Sequence, residues 1–163
     1  MKLTAETAGA FRCPRFNDLP ALSLYMDQVV YVIEDGMGIF ADESERVITS
    51  AMINNYVKQK LIEPPVKKKY NRSHIAVLII VSMLKRVLSI SEISALIAEM
   101  CREGTLGEFY DLFCERFERL LKDAFTQSGV PAVYSRDVLD SALAALIGKL
   151  MVQHYLYGKE ETT

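Results

Sequence analysis

Two consecutive prolines, Pro64 and Pro65, follow a helical pattern and precede a group of lysines, and this segment constrains the fold more than any other. A helix is predicted to begin at Thr49 or Ser50, because either hydroxyl can accept a hydrogen bond from the free amides of a first helical turn. Its predicted buried stripe is Ile53, Tyr56, Val57 and Leu61. Proline cannot donate to the helical ladder and restricts the residue before it, so the proline pair is predicted to stop this helix.

A short basic stretch comes directly after the prolines. Between Val66 and Arg72 there is room only for a tight two-stranded hairpin or a loop. Residues 58–72 hold six cations and one acid, a net charge of +5. Because the whole chain carries −2, the remainder carries −7, and we expect one basic patch on an otherwise acidic body.

Further helices are predicted on both sides of this segment. One begins near Asp18, carries a periodic apolar face, and ends at Gly36 and Gly38. Another runs from about Arg72 to Val87 and is apolar around nearly its whole circumference. Such a helix is typical of the centre of a fold.

Two capping boxes predict the starts of the next helices. They pair Ser89 with Glu92 and Thr105 with Glu108, each combining a hydroxyl at the helix start with a carboxylate three residues later. The helix after Thr105 has an apolar stripe of Leu106, Phe109, Tyr110, Phe113, Phe117, Leu120, Leu121 and Phe125. A last helix is predicted over residues 135–157.

These elements divide the chain into three predicted parts. Residues 1–17 have no sustained period and are predicted to be an extended arm. Residues 18–104 are predicted to form a helical domain with the hairpin, and residues 105–163 a C-terminal helical lobe for dimerisation or effector binding. The predicted fold class is all-α, with a small β-hairpin as its only sheet.

Composition and motifs exclude several function classes. The longest apolar run, residues 75–84, is shorter than the roughly 20 residues that span a bilayer, and the N-terminus has no apolar signal-peptide core, so we expect a cytoplasmic protein. Three cysteines without metal-ligand spacing indicate neither a disulfide framework nor a zinc site, although a redox pair of Cys101 and Cys114 stays open. No nucleotide-binding or hydrolase motif occurs, so we expect no enzyme, no catalytic residue, no metal and no cofactor.

The helix that begins near residue 49 presents a polar outer face. Asparagine and glutamine amides can pair with adenine edges, an alanine can touch a thymine methyl, and lysines suit phosphates. The alternative is an ordinary solvated helix surface. The residues predicted to contact DNA are Ser50, Ala51, Asn54, Asn55, Lys58, Gln59, Lys67, Lys68, Lys69, Tyr70 and Arg72.

Several motifs resemble a known family. Residues 48–97 look like the DNA-binding domain of MerR-type regulators, on the pieces Leu61-Ile62-Glu63-Pro64-Pro65, Tyr70-Asn71-Arg72 and Leu88-Ser89-Ile90-Ser91-Glu92-Ile93. The whole chain resembles more closely an uncharacterised bacterial family, domain of unknown function 1836, on Pro14-Arg15-Phe16, Leu24-Tyr25-Met26-Asp27-Gln28-Val29 and residues 49–58. The resemblance implies a winged helix-turn-helix fold and a regulatory role. Three departures from the MerR pattern are the loop 36–47, a shortened wing, and Asn54 and Asn55, which stand where that family commonly has an arginine and an aromatic residue.

Two functions follow from these patterns. The first is a MerR-like transcription regulator that reads duplex DNA with helix 49–60 and the basic wing 66–72, as a homodimer on two half-sites. The second is a protein-interaction module that keeps the winged-helix fold without binding DNA. An unidentified small-molecule effector bound by the C-terminal lobe is compatible with either function.

Overall fold

The part of the chain that the structure describes is mostly helical and carries one small two-stranded sheet. The computed structural model describes residues 5–38 and 46–126, and residue 145. The helix predicted over residues 135–157 and most of the predicted loop 36–47 lie outside the described residues. In chain order the elements are α1 (Ala5–Ala10), a 3-10 turn (Phe16–Asp18), β1 (Leu24–Tyr25), α2 (Met26–Gly36), α3 (Ser50–Lys58), β2 (Lys69–Tyr70), α4 (Arg72–Leu84), α5 (Ile90–Met100) and α6 (Leu106–Thr126).

Helix α4 forms the centre of the fold. Every residue from 74 to 83 is buried, as its apolar circumference predicts. Helices α2, α5 and α6 and strand β2 pack around it. The helix ends at Leu84, whose carbonyl accepts from the Val87 and Leu88 amides at 3.0 and 2.9 Å, so the chain turns three residues before the predicted end.

Three helix starts predicted from capping residues are confirmed. Thr49 Oγ1 accepts the N–H three residues later at 3.2 Å. Ser89 N–H donates to Glu92 Oε2 at 2.7 Å, and Ser89 Oγ accepts from the Glu92 N–H at 3.3 Å. The same reciprocal pair joins Thr105 and Glu108 at 2.8 and 3.2 Å. Each box satisfies amides that would otherwise lack a partner at the first helical turn.

Helix α3 ends well before the prolines. Lys60 adopts a φ of 59°, and its N–H donates to the Val57 carbonyl at 3.0 Å. The next amide donates to the Tyr56 carbonyl, also at 3.0 Å. This is a Schellman motif, which closes a helix by placing one residue in the left-handed region. The prediction that the prolines stop the helix is therefore wrong, because α3 has already ended at Lys58.

The N-terminal part departs from the prediction in two places. Within residues 1–17, predicted to be an extended arm, Ala5–Ala10 form helix α1, which packs against α6. The helix predicted from Asp18 begins only at Met26, because Leu24–Tyr25 are extended and pair with β2.

Helix α6 shares the core of the preceding helices. Phe109, Tyr110 and Cys114 are buried in one cluster with residues of α2 and α4. The predicted stripe therefore packs inward along the first half of the helix, whereas Leu120 is 45% exposed and the side chain of Phe125 lies outside the described residues. Among the described helices, none has both the length and the apolar character that crossing a membrane requires.

Candidate nucleic-acid interface

The basic stretch after the prolines folds into a tight hairpin. Val66 and Lys69 exchange both backbone hydrogen bonds, at 3.1 and 3.0 Å, which leaves Lys67 and Lys68 as the two turn residues. Both turn residues have positive φ, 51° and 63°. A two-residue turn of this kind usually holds Asn-Gly, because glycine and asparagine tolerate positive φ.

The hairpin is attached to the chain segment that precedes α2. In the sheet, Tyr25 of β1 lies opposite Lys69 of β2, and Lys69 lies opposite Val66 on its other side. Lys69 Nζ is 4.9 Å from the centre of the Tyr25 ring, within the range of a cation–π interaction. Tyr25 and Val66 are 50% and 70% exposed, so this row is an apolar and cationic strip at the surface.

Among the described residues, each non-glycine residue with a positive φ is a lysine. These are Lys60 at the end of α3 and Lys67 and Lys68 in the hairpin. The left-handed region costs an ordinary L-residue about 1–2 kcal/mol, and glycine is the usual choice in both settings. Backbone geometry therefore does not explain why lysine stands at these positions. We call the five exposed or half-buried lysines Lys58, Lys60, Lys67, Lys68 and Lys69 the basic edge.

The outer face of α3 is polar and accessible. Its buried side consists of Ile53 and Tyr56, at 0% and 5% exposure. Between residues 50 and 60 the described part of the chain shows no large exposed apolar side chain. The six residues predicted on this face are all exposed: Ser50, Ala51, Asn54, Asn55, Lys58 and Gln59.

Tyr70 lies in the core rather than at the surface. Its side chain is 2% exposed and meets His74 edge to face, with ring centres 5.5 Å apart. Burial raises the pKa of its hydroxyl. The DNA contact predicted for Tyr70 does not fit this position, because the alternation of β2 turns Tyr70 inward and Lys69 outward.

Arg72 connects α4 to the N-terminal segment. Its Nε donates to the Leu19 carbonyl at 3.2 Å, and its guanidinium lies 5.7 Å from the centre of the Phe16 ring. A third contact reaches Asn17 Oδ1 at 3.4 Å. The side chain is half-buried, so Arg72, like Tyr70, is engaged within the fold.

His74 fixes the path of the chain into the hairpin, a role that the sequence did not reveal. It is 7% exposed and forms a capping box with Asn71 at the start of α4. Its Nε2 lies 3.0 Å from the Glu63 carbonyl oxygen, immediately before the prolines. Its position three residues after Asn71 could have predicted the capping box. Its contact with the Glu63 carbonyl, 11 residues earlier, has no such local signal.

A separate apolar groove of about 270 Å³ lies between α5 and α6. Leu96, Met100, Phe113, Phe117 and Leu120 line it. Among the described residues no group of three or more histidine, cysteine or acidic side chains could hold a metal ion.

Comparison with known proteins places the chain in one family. The chain matches no curated protein and no solved structure. The family model described as Domain of unknown function (DUF1836) matches residues 14–113, which extend from just before the 3-10 turn into the first half of α6. That span is more than half of the 163 residues and contains α3, the hairpin and α4. The chain therefore belongs to the family described as Domain of unknown function (DUF1836).

Proposed function

We propose that the protein is a DNA-binding transcription regulator with a MerR-like winged helix-turn-helix. In this arrangement α3 enters the major groove, and the hairpin at residues 66–69 contacts the flanking phosphates. The order of elements supports the proposal: α2 and α3 precede a small hairpin, and α4 follows it. A regulator of this kind acts in the cytoplasm.

The observation that carries the proposal is the placement of Lys60, Lys67 and Lys68. Each is exposed and each stands where the backbone favours glycine or asparagine. Residues that break a local folding preference are concentrated at functional sites. Three exposed positive charges, one just after α3 and two in the hairpin, are suited to phosphates, which dominate the affinity of proteins for duplex DNA.

The exposed amides of α3 support a base-reading role. Asn54, Asn55 and Gln59 can each offer a donor and an acceptor to an adenine edge. Ala51 is exposed one turn before Asn55 and presents a methyl group for thymine. The contacts of Lys58 with phosphate would then set the register of the helix in the groove.

A protein-interaction module is the second candidate, and one observation favours it. Leu22, Tyr25 and Val66 are 82%, 50% and 70% exposed, so apolar side chains are accessible around the sheet. Such side chains are typical of protein contacts when they form a continuous patch. In this alternative the partner covers the sheet, and α3 stays in solvent.

Salt-dependent binding to mixed-sequence duplex DNA tests the first proposal. We expect wild-type protein to bind at low ionic strength and to lose affinity steeply as salt rises, because bound lysines release counterions. In the triple variant Lys60→Gly, Lys67→Asn, Lys68→Gly, the slope of log K against log salt should become shallower by about 2–3 units. Fluorescence anisotropy over a salt series gives both quantities.

A matched control separates a specific surface from overall charge. The variant Arg116→Ala, Arg119→Ala, Lys122→Ala removes the same charge from exposed positions on α6. It should bind DNA as the wild type does. An equal loss in both variants, or wild-type protein that shows no salt-dependent binding, would overturn the proposal.

Sequence selectivity is tested on α3. Bound sequences selected from random duplexes should share a motif, and Asn54→Ala with Asn55→Ala should change it, because removing a side chain that reads a base costs roughly 1–3 kcal/mol. Retained binding without any enriched motif would indicate a non-specific DNA-binding protein. If instead Tyr25→Ser with Val66→Ser abolishes a protein complex and DNA binding is absent, the second candidate holds.

A further inference from the structure

Residues 11–16 run antiparallel along α6. The Phe11 ring meets the Phe117 ring edge to face, with centres 6.0 Å apart, and Phe16 meets Tyr110 in the same way at 6.3 Å. The Phe16 N–H donates to Asp111 Oδ1 at 2.6 Å. The start of the segment therefore lies beside residue 117, its end beside residues 110 and 111, and its middle beside the helical turn around residue 114. We call the contact between residues 11–16 and α6 the seam.

This register brings two cysteines together. The Cys13 N–H donates to Glu118 Oε1 at 2.8 Å, and Glu118 lies one helical turn after Cys114 on the same face of α6. Cys13 and Cys114 are 4% and 0% exposed, and their thiols are close enough to shift each other's pKa. Both are free cysteines, so the pair is a reduced dithiol. The sequence had suggested Cys101 as the partner of Cys114, but Cys101 is half-buried at the end of α5.

We propose that Cys13 and Cys114 are a modification site that hydrogen peroxide oxidises to a disulfide across the seam. In the first step the Cys114 sulfur attacks the peroxide, giving a sulfenic acid and one water. In the second the Cys13 sulfur attacks the sulfenic sulfur, which forms the S–S bond and releases a second water. Two thiols thus lose two electrons and two protons, and hydrogen peroxide is reduced to two waters. The proposal does not depend on DNA binding.

The surroundings assign the roles within the pair. The interaction between the two thiols lowers the pKa of Cys114 and raises that of Cys13. The Tyr110 hydroxyl is buried without a nitrogen or oxygen partner among the described residues, lies beside the Cys114 sulfur and lowers its pKa further. Because the thiolate is the reactive form, Cys114 reacts first and Cys13 resolves the intermediate.

Access of peroxide depends on the seam opening. The Arg15 guanidinium holds the segment to α6 through Glu118, at 2.7 and 2.9 Å to the two carboxylate oxygens. Peroxide reaches Cys114 when this ion pair separates and the segment lifts. Glu118→Gln should therefore increase the oxidation rate several-fold, and Tyr110→Phe should decrease it.

Both cysteines lie one residue outside the span that the family model matches, 14–113. Family membership therefore assigns no role to them, and the inference belongs to this chain. It rests on the seam alone.

Peroxide titration of the full-length wild-type protein tests the site. After alkylation of free thiols and proteolysis, mass spectrometry should show a peptide that links Cys13 to Cys114, and dithiothreitol should remove it. The oxidised protein should have a Tm higher by about 5 °C or more, because the bond closes a loop of roughly 100 residues. Cys101→Ser should behave as the wild type does, and Cys13→Ser or Cys114→Ser should form no link.

Two outcomes would overturn the proposal. One is a wild-type protein whose Cys114 proceeds to sulfinic acid without any link to Cys13. The other is a link that involves Cys101. The wild-type measurement decides between these outcomes even if a cysteine variant does not fold.

Discussion

The seam and the basic edge use charge in opposite ways. At the seam, Arg15 and Glu118 are paired at 2.7 Å, and the Glu118 side chain is only 11% exposed. At the basic edge four of the five lysines are exposed, and Lys60, Lys67 and Lys68 have left-handed backbone that disfavours them. The charges at the seam are paired within the fold, whereas three lysines of the basic edge occupy left-handed backbone that is unfavourable for any residue with a Cβ. The fold accounts for the pair Arg15 and Glu118. It does not account for Lys60, Lys67 and Lys68, which a binding partner would require.

The largest effect on stability is expected from Phe11→Ala at the seam. Phe11 is 7% exposed and packs against Phe117, so the free energy of unfolding should fall by about 3 kcal/mol. Urea denaturation followed by circular dichroism measures it. The control Leu22→Ala removes a side chain that is 82% exposed and should change stability by less than about 0.5 kcal/mol. Equal effects of the two variants would mean that the seam is not packed in solution.

Glu118→Gln tests whether charge holds the seam. Loss of the charged partner of Arg15 should lower the free energy of unfolding by about 1–2 kcal/mol at neutral pH. Burial raises the pKa of Glu118, but the Arg15 hydrogen bond and the Cys13 N–H outweigh it, so the folded pKa is below its ordinary value.

A carboxylate with a depressed pKa contributes stability above its unfolded pKa and loses that contribution as pH falls through the folded pKa. The difference between wild type and Glu118→Gln should therefore shrink as pH falls below about 4. Thermal unfolding at several pH values measures this. A difference that is independent of pH would indicate packing rather than charge.

The triple variant Lys60→Gly, Lys67→Asn, Lys68→Gly tests the opposite claim for the basic edge. Relief of the left-handed backbone should raise the free energy of unfolding by about 1–2 kcal/mol, while DNA affinity falls. Lys58→Gly is the matched control, because Lys58 lies within α3 and glycine there should cost up to about 1 kcal/mol. If the triple variant is less stable than wild type, the three lysines stabilise the fold, and the contrast between the basic edge and the seam is wrong.

The smallest effect is expected from Tyr110→Phe. The hydroxyl is fully buried and lacks a nitrogen or oxygen partner among the described residues, so its removal should change stability by less than about 0.5 kcal/mol. Chemical denaturation measures this change. A loss above about 2 kcal/mol would show that the Cys114 sulfur is a strong partner and that the seam depends on it.

Local signals in the sequence predicted the starts of the helices. The capping groups Thr49, Ser89 and Thr105 act over three residues, so their neighbours in the sequence are also their partners in space. The accessible face of α3 also followed from helical periodicity. The end of α3 did not, because no residue type marks Lys60 for the left-handed region.

Long-range contacts explain what the sequence did not reveal. Tyr70 turns inward because β2 pairs with β1, a segment more than forty residues earlier. Arg72 is engaged because the 3-10 turn lies beneath it, 55 residues away at Asn17. The dithiol joins Cys13 and Cys114, which come together only because α6 packs on the N-terminal segment. None of these pairings leaves a local pattern.

In the proposed complex with DNA, the early end of α3 would limit how much sequence information one copy of the protein reads. A helix of nine residues is about 14 Å long, and base pairs are spaced about 3.4 Å apart along the duplex, so the helix covers about four base pairs. Four positions distinguish on the order of 250 sequences, and a word that short recurs throughout any genome. Under the same proposal, a second copy on an adjacent half-site would square that number, so two paired chains would together address a single site.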